Sequence, residues 1–263
     1  MMDIAHRIEQ INRHDRHVLS IFLTAGFPTN RNFIQLAVDI LQAGADMLEI
    51  GIPFSDPVAD GPVIQQSSQA ALQNGVGLKE IFNYTKAIKQ KVDKPVVLMG
   101  YANPLLHYGL KTFLDHAQQS GADGLIVPDV PYDEYHNFWN GQTTALPRIL
   151  LTTPTSSPDR IKAIDETSQG FIYCVSVTGT TGDRNRINEK DVKVLSNTFR
   201  LIQNNKMLVG FGISNEQTIH QLKPHCDGFI VGSAVIRRLM DDNDCNSRNT
   251  LAYIGKLSKA CNK

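Results

Sequence analysis

The stretch VLSIFLTAGFPTNRNFIQLAVDILQAGADMLEIGI, residues 18 to 52, decides the fold. It opens with an apolar, β-branched run, VLSIFLTAG, and closes with a second run, DMLEIGI. Between them, NFIQLAVDILQAG has the spacing of an amphipathic helix. Neither outer run alternates strictly between apolar and polar residues, which is typical of strands covered on both faces. The stretch therefore predicts a strand, a crossover helix and a second, parallel strand.

The same unit recurs along the whole chain. Six further apolar runs follow: PVVLMGY from Pro95, GLIVPDV from Gly124, RILLTT from Arg148, GFIYCVS from Gly170, MLVGFG from Met207 and GFIVGSA from Gly228. Helical segments such as LKEIFNYTKAIKQKV separate them, and Gly44, Gly75 and Gly121 mark helix ends. The runs recur every 33 residues or so, about the length of a strand, a helix and two loops. We predict an α/β fold: a single (β/α)8 TIM barrel over residues 1–263 with an extra N-terminal helix.

Composition excludes several classes of partner. Lys and Arg total 26, as do Asp and Glu, so charge gives no reason to expect nucleic acid or an anionic membrane. The cysteines, Cys174, Cys226, Cys245 and Cys261, form no CxxC pair and have no metal-type spacing. The N-terminus has no apolar signal region, and no run approaches the roughly 18 apolar residues of a membrane span. We expect a cytoplasmic protein.

Two glycine-rich turns near the C-terminus indicate a phosphate site. GFGIS, from Gly210, and VGSAV, from Val231, end the seventh and eighth runs, and the loops after these strands often bind phosphate in TIM barrels. Backbone N–H groups and a helix N-terminus, with the hydroxyl of Ser233, would hold the anion. The alternative is that the glycines only make tight turns. A third glycine-rich loop, TGTTGDRNR from Thr178, is suited to closing over a ligand.

Two carboxylate residues are candidates for the chemistry: Glu49 lies within the second predicted strand, and Asp60 lies in the loop that follows it. Glu49 stands among apolar neighbours near the strand's C-terminal end, where burying a charge is costly without a partner or a proton. Such a residue is a candidate catalytic acid or base, although a bond to a buried water or backbone group would also explain it. Asp60 lies in the loop PFSDPVADGP, before a helix expected to begin near Pro62. Asp56 in the same loop could simply form a turn.

Missing residue types narrow the chemistry further. No lysine ends a strand, since Lys94 and Lys206 precede strands, so a Schiff-base aldolase is disfavoured. Among the histidines only His107 falls near the active rim, too few for a metal-dependent aldolase. No GxGxxG follows the first strand, which disfavours a dinucleotide. Acid–base chemistry on a phosphorylated substrate, without metal or organic cofactor, remains.

The run LEIGIPFSDPVADGPVIQQSSQAAL, from Leu48 to Leu72, resembles the signature of the tryptophan synthase alpha chain family. Further matches occur in order along essentially the whole chain: FLTAGFP from Phe22, YANP from Tyr101, VPDVP from Val127, TPTS from Thr153, YCVSVTGTTGDR from Tyr173, GFGIS and VGSAV. The resemblance implies a lyase of tryptophan biosynthesis that cleaves indole-3-glycerol phosphate to indole and glyceraldehyde 3-phosphate by a retro-aldol reaction.

The resemblance also implies residue roles. Glu49 would be the general acid/base, and Asp60 would hold the indole N–H. The positions that match the family's substrate-binding residues are Phe22, Tyr101, Asp129, Tyr173 and Thr181, and those that match its phosphate cradle are Gly182, Gly212, Gly232 and Ser233. No metal is implied. Asp183 departs from the family's usual small apolar residue and would place a negative charge near the phosphate.

The resemblance further implies a partner, a beta chain that carries pyridoxal phosphate, in an alpha2-beta2 heterotetramer. The contact surface would comprise Pro53 to Pro57 and Asn103 to Tyr108, with Pro57 and Leu105 as exposed apolar residues. Two alternatives stay open. One is another phosphate-binding TIM-barrel isomerase or lyase, and the other is a non-catalytic barrel that regulates a partner.

Overall fold

The computed structural model of the chain describes residues 3–175, 187–210, 212–242 and 247–262. Eight strands form a closed parallel barrel, in which each strand pairs with its sequence neighbours and the last pairs with the first. The strands are β1 (Val18–Thr24), β2 (Met47–Gly51), β3 (Val96–Met99), β4 (Gly124–Ile126), β5 (Arg148–Thr152), β6 (Ile172–Val175), β7 (Met207–Gly210) and β8 (Gly228–Val231). Each apolar run of the sequence contains one strand, so the predicted TIM barrel is confirmed.

One helix precedes the first strand, and helices follow each of the eight strands. They are α1 (Ile4–Arg13), α2 (Phe33–Gln42), α3 (Pro62–Gln73), α4 (Leu78–Lys89), α5 (Ala102–Tyr108), α6 (Leu110–Gln119), α7 (Tyr135–Trp139), α8 (Pro158–Thr167), α9 (Glu189–Leu201), α10 (Glu216–Leu222), α11 (Ser233–Asp241) and α12 (Arg248–Ala260). Short 3-10 turns lie at Tyr132–Glu134 and Lys223–His225. The predicted start of a helix at Pro62 is confirmed, as are helix ends just before Gly75 and Gly121, both of which have positive φ.

The extra N-terminal helix, α1, covers the N-terminal end of the barrel. Asp3 caps it by accepting a hydrogen bond from the His6 backbone N–H at 3.1 Å. The helix buries Ile4 and Ile8, and the Ile4 side chain lies where a Cβ on Gly124 would project. Because Gly124 begins β4, a small residue there lets the helix close this end of the barrel.

Aspartates bind the neighbouring strands together at the same N-terminal end. Asp46, Asp123 and Asp227 each stand just before a strand and accept a hydrogen bond from a backbone N–H of the preceding strand, at 2.8 to 3.0 Å. Lys94 donates to the carbonyl groups of Leu41, in the last turn of α2, and of Ala45, just after that helix. The charged residues at this end therefore stabilise the barrel. Catalytic residues are expected at the opposite, C-terminal end of the strands.

Candidate active site

Glu49 lies inside the barrel on β2, with no exposed surface. Its Oε1 accepts a hydrogen bond of 2.9 Å from the hydroxyl of Ser20, which is equally buried on the neighbouring strand β1. Its Oε2 has no hydrogen-bond partner among the residues that the structure describes. One carboxylate oxygen is thus held by the protein, and the other can take part in proton transfer.

Burial raises the pKa of Glu49 from 4.5 to about 7, and the hydrogen bond from Ser20 lowers it by less than burial raises it. Desolvation disfavours the charged form of a carboxyl group, which explains the direction of the shift. A group with a pKa near 7 both gives and takes protons at neutral pH. Burial in the barrel therefore suits Glu49 to act as both acid and base.

Asp60 stands at the end of the loop after β2, half-buried, and receives a side-chain hydrogen bond from Tyr101. The Tyr101 hydroxyl also accepts a hydrogen bond from the backbone N–H of Ala59 at 3.2 Å. Burial raises the pKa of Asp60, and the Tyr101 hydroxyl opposes that rise. Tyr101 thereby joins the loop after β2 to the end of β3, and it orients the Asp60 carboxylate.

A small cavity lies beside Asp60 and Tyr101 at the C-terminal end of the barrel. It is lined by Asp60, Phe22, Tyr101 and Ser68 and by the apolar residues Ile52, Ile64 and Met99. A largely apolar cavity with one acidic residue in its lining suits an aromatic ligand that carries a polar N–H.

Two strand glycines make room for the aromatic rings. A Cβ on Gly51 would overlap the ring of Phe22, and a Cβ on Gly210 would overlap the hydroxyl end of Tyr173. The buried Tyr173 lies close enough to Glu49 and Asp60 for both carboxylates to act on it electrostatically; burial first, and then these charges, raise the pKa of its hydroxyl. Tyr173 therefore remains a neutral phenol beside the two carboxylates.

The predicted phosphate residues that the structure describes lie at the ends of β7 and β8. Gly212 has a φ of 79°, in the left-handed region that glycine adopts without strain. Gly232 precedes α11, and Ser233 is the first residue of that helix. The first N–H groups of a helix have no partners within it and point outward, which favours an anion. A Cβ on Gly232 would come within 3.4 Å of Phe22, so this end adjoins the aromatic cavity.

Asp129 has a clear structural role. Its two carboxylate oxygens accept hydrogen bonds from the backbone N–H of Ala102, at 2.9 and 3.2 Å. Ala102 is the first residue of α5, directly after Tyr101, so Asp129 fixes the start of that helix. It also lines an open groove beside Thr153 and Arg160. Its predicted contact with substrate stays a prediction.

Other predicted residues lie outside the described part of the chain. Thr181 and Gly182, together with Asp183 and the rest of the predicted closing loop from Thr178 to Arg186, belong to the range 176–186. Their proposed roles rest on the sequence.

The prediction that Leu105 is exposed on the rim is wrong. Leu105 is fully buried on α5, whereas its neighbour Leu106 is 54% exposed. In the loop after β2, Pro57 is partly buried and Val58 is 82% exposed. The apolar rim exists, but Val58 and Leu106 present it.

Sequence reasoning missed Ser20. A serine within an apolar strand carries no charge and belongs to no recognisable motif, and its partner stands 29 residues away. A polar residue at an inward position of a strand, two residues before Phe22, was the available signal.

The comparison with known proteins decides the family. The family model for the tryptophan synthase alpha chain matches residues 8–262. The chain belongs to the tryptophan synthase alpha chain family. It is 40% identical to the tryptophan synthase alpha chain of Flavobacterium psychrophilum, over 90% of this chain and 94% of that one. It is also 40% identical to that of Christiangramia forsetii, over 96% and 98%.

Comparison with solved structures gives the same family. The crystal structure of tryptophan synthase subunit alpha from Legionella pneumophila superposes with a TM-score of 0.85 at 29% identity, covering 99% of this chain and 98% of that one. Membership of the family confirms the predicted lyase of tryptophan biosynthesis, whose reaction is the cleavage of indole-3-glycerol phosphate.

Among the described residues, no group of His, Cys, Asp and Glu has the arrangement of a metal site. No described helix is long and apolar enough to cross a membrane.

Proposed function

We propose that Glu49 and Asp60 carry out the retro-aldol cleavage of indole-3-glycerol phosphate in this chain. The observation that carries the proposal is the buried Glu49, which has a pKa of about 7 and one oxygen without a protein partner. The family gives the reaction, and the chemistry of these two carboxylates suits its steps.

The bond between indole C3 and the glycerol carbon breaks only if the ring can accept the electrons. Neutral Glu49 would give a proton to C3, which makes the ring an indoleninium ion. The resulting carboxylate would then take the proton of the neighbouring glycerol hydroxyl, so that the C–C bond electrons return to the ring and an aldehyde forms. Glu49 ends protonated, as it began, and the products are indole and glyceraldehyde 3-phosphate.

Asp60 would stabilise the charge that develops on the indole nitrogen. Asp60 lines a largely apolar cavity, where an ionic hydrogen bond to N–H gains strength as the nitrogen becomes positive. The hydrogen bond from Tyr101 supports the ionised form of Asp60. Phe22 and Tyr173 would enclose the ring, and Thr181 would orient Asp60 when the loop closes.

The phosphate of the substrate would lie at the opposite end of the cavity. Gly182, Gly212, Gly232 and Ser233 would hold it through backbone N–H groups and one hydroxyl, helped by the dipole at the start of α11. Phe22 would lie between phosphate and indole, because it contacts both ends of the cavity.

The family also supports a beta chain as partner, and we propose an alpha2-beta2 complex. The surface would comprise Pro53 to Pro57 and Asn103 to Tyr108, extended by the exposed Val58. The first segment reaches the start of the second, since the ring of Phe54 lies 5.4 Å from that of Tyr101, two residues before Asn103. Indole would pass to the beta chain, whose pyridoxal phosphate joins it to serine, and this chain would need no cofactor. The biosynthetic role of the family supports a cytoplasmic location.

The deciding experiment is an assay of the isolated chain with indole-3-glycerol phosphate, in which both products are measured. Equal amounts of indole and glyceraldehyde 3-phosphate are expected, with a higher rate when a beta chain is added. A folded chain that releases neither product, with or without a beta chain, would favour the non-catalytic alternative.

A further inference from the structure

Ser20 is the one side chain among the described residues whose hydrogen bond to Glu49 the structure records. It lies on β1, and both side chains have no exposed surface. Nothing in a barrel core requires a hydroxyl at this position, because the β1 residues on the same face as Ser20, Val18 and Phe22, are apolar and buried. The hydroxyl therefore acts on the carboxyl group beside it.

We propose that Ser20 is a positioning residue: its hydroxyl holds Oε1 of Glu49 by a hydrogen bond, so that Oε2 is the oxygen that carries the transferred proton. The proposal rests on the acid–base role proposed for Glu49. A hydroxyl that donates to Oε1 makes that oxygen the acceptor in both protonation states. In the neutral acid the proton then resides on Oε2, the oxygen without a protein partner among the described residues.

The same hydrogen bond sets the balance between the two protonation states. A donor stabilises the carboxylate more than the neutral acid, so Ser20 opposes the effect of burial. Without it, Glu49 would hold its proton too firmly to take part in both halves of the reaction near neutral pH.

Other groups around Glu49 do not replace Ser20. On β6, the buried Tyr173 stands near both Glu49 and Asp60 as a neutral phenol. The strand partners of Glu49, Val97 on β3 and Phe22 on β1, carry no charge. Burial raises the pKa of Glu49 and the hydrogen bond from Ser20 lowers it, and no described basic group is among the causes of the shift.

The test compares Ser20→Ala with Ser120→Ala. Ser120 is a matched control because its buried hydroxyl donates only to the carbonyl of Ala117, at the end of α6 and outside the site. The pKa of Glu49 is measured by carbon-13 NMR titration of side-chain-labelled glutamate, with the resonance assigned from its absence in Glu49→Gln. Indole release is measured in parallel as a function of pH.

Ser20→Ala should raise the pKa of Glu49 by about one unit and lower kcat about tenfold near pH 7, with a smaller change in KM. Ser120→Ala should change neither. If Ser20→Ala does not fold, Ser20→Cys keeps a weak donor and should shift the pKa in the same direction by less.

An unchanged Glu49 pKa in the folded Ser20 variant would overturn the proposal. So would a loss of kcat with no change in the pH profile, since that would mark a purely structural effect. If the wild-type chain releases no indole, the catalytic function fails, while the NMR titration still decides whether Ser20 controls the protonation of Glu49.

Discussion

The hydroxyl of Tyr101 donates a hydrogen bond to the carboxylate of Asp60 and ties the end of β3 to the loop after β2. The same hydroxyl accepts from the Ala59 N–H, so one phenol holds both the backbone and the side chain of that loop. Asp129 in turn fixes the residue after Tyr101 through two hydrogen bonds to the Ala102 N–H. The position of Asp60 thus depends on three consecutive strands of the barrel.

Tyr101→Phe should lower kcat/KM by about tenfold to a hundredfold, because a hydrogen bond to a charged group contributes about 1.5 to 3 kcal/mol. The pKa of Asp60 should rise further in this variant, because the Tyr101 hydroxyl of the wild-type chain lowers it. Steady-state kinetics of indole release measures the effect. Tyr84→Phe, on α4 against Phe33, is the control and should leave kcat/KM unchanged. Equal rates for both variants would refute the role of Tyr101.

Asp60→Asn should retain substrate binding and lose most turnover. An amide can accept a hydrogen bond from the indole N–H, but it carries no charge to stabilise the indoleninium ion. Loss of one such electrostatic contact costs about 10² to 10³ in kcat. Binding of substrate by calorimetry and single-turnover kinetics separate the two effects. Full activity in Asp60→Asn would show that the carboxylate charge is not used.

The stability of the chain should depend on pH through Glu49. Its pKa is 4.5 when exposed and about 7 in the native state, so the native state holds a proton that the unfolded chain releases between these values. The free energy of unfolding therefore falls as pH rises from 4.5 to 7, and the whole of this loss is present above pH 7. Relative to wild type, Glu49→Gln should gain about 2 to 3 kcal/mol in free energy of unfolding between pH 4.5 and pH 8.

Urea unfolding at the two pH values checks this difference. Each variant is compared with wild type at the same pH, so that titration of other groups cancels. The same difference between Glu49→Gln and wild type at both pH values would mean that Glu49 is ionised normally in the folded protein.

Leu106→Ser should weaken association with a beta chain by about tenfold to a hundredfold, because an exposed leucine that becomes buried contributes about 1.5 to 3 kcal/mol. Leu72→Ser is the matched control, since Leu72 is 38% exposed on α3 and lies outside the proposed contact surface. Titration calorimetry with the beta chain measures both variants. Unchanged affinity for Leu106→Ser, or equal losses for both, would place the partner elsewhere.

The barrel could be predicted from sequence because a strand covered on both faces must be apolar along its length, and eight such runs recur at regular spacing. Glu49 could be singled out for the same reason, since a carboxyl group in such a run is costly. Its hydrogen bond to Ser20 could not, because that contact depends on the stagger between β1 and β2 across 29 residues. That residues 1–263 form one domain stays a prediction.

The exposure of Leu105 was predicted wrongly for a local reason. Helix α5 has seven residues, too few to show a period, and it contains two adjacent leucines. Only the packing of α5 against the barrel decides that Leu105 points inward and Leu106 outward. The contact of Asp129 with the start of α5 was likewise hidden, because it joins loops of two different strands.

The most direct test is the rate at which the isolated chain releases indole from indole-3-glycerol phosphate, measured side by side for wild type and Glu49→Gln. Glutamine keeps the shape of the side chain but neither gives nor takes the proton, so the rate should fall by about 10² to 10⁴. A Glu49→Gln chain that releases indole at the wild-type rate would contradict the assignment of Glu49 as the acid and base of the reaction.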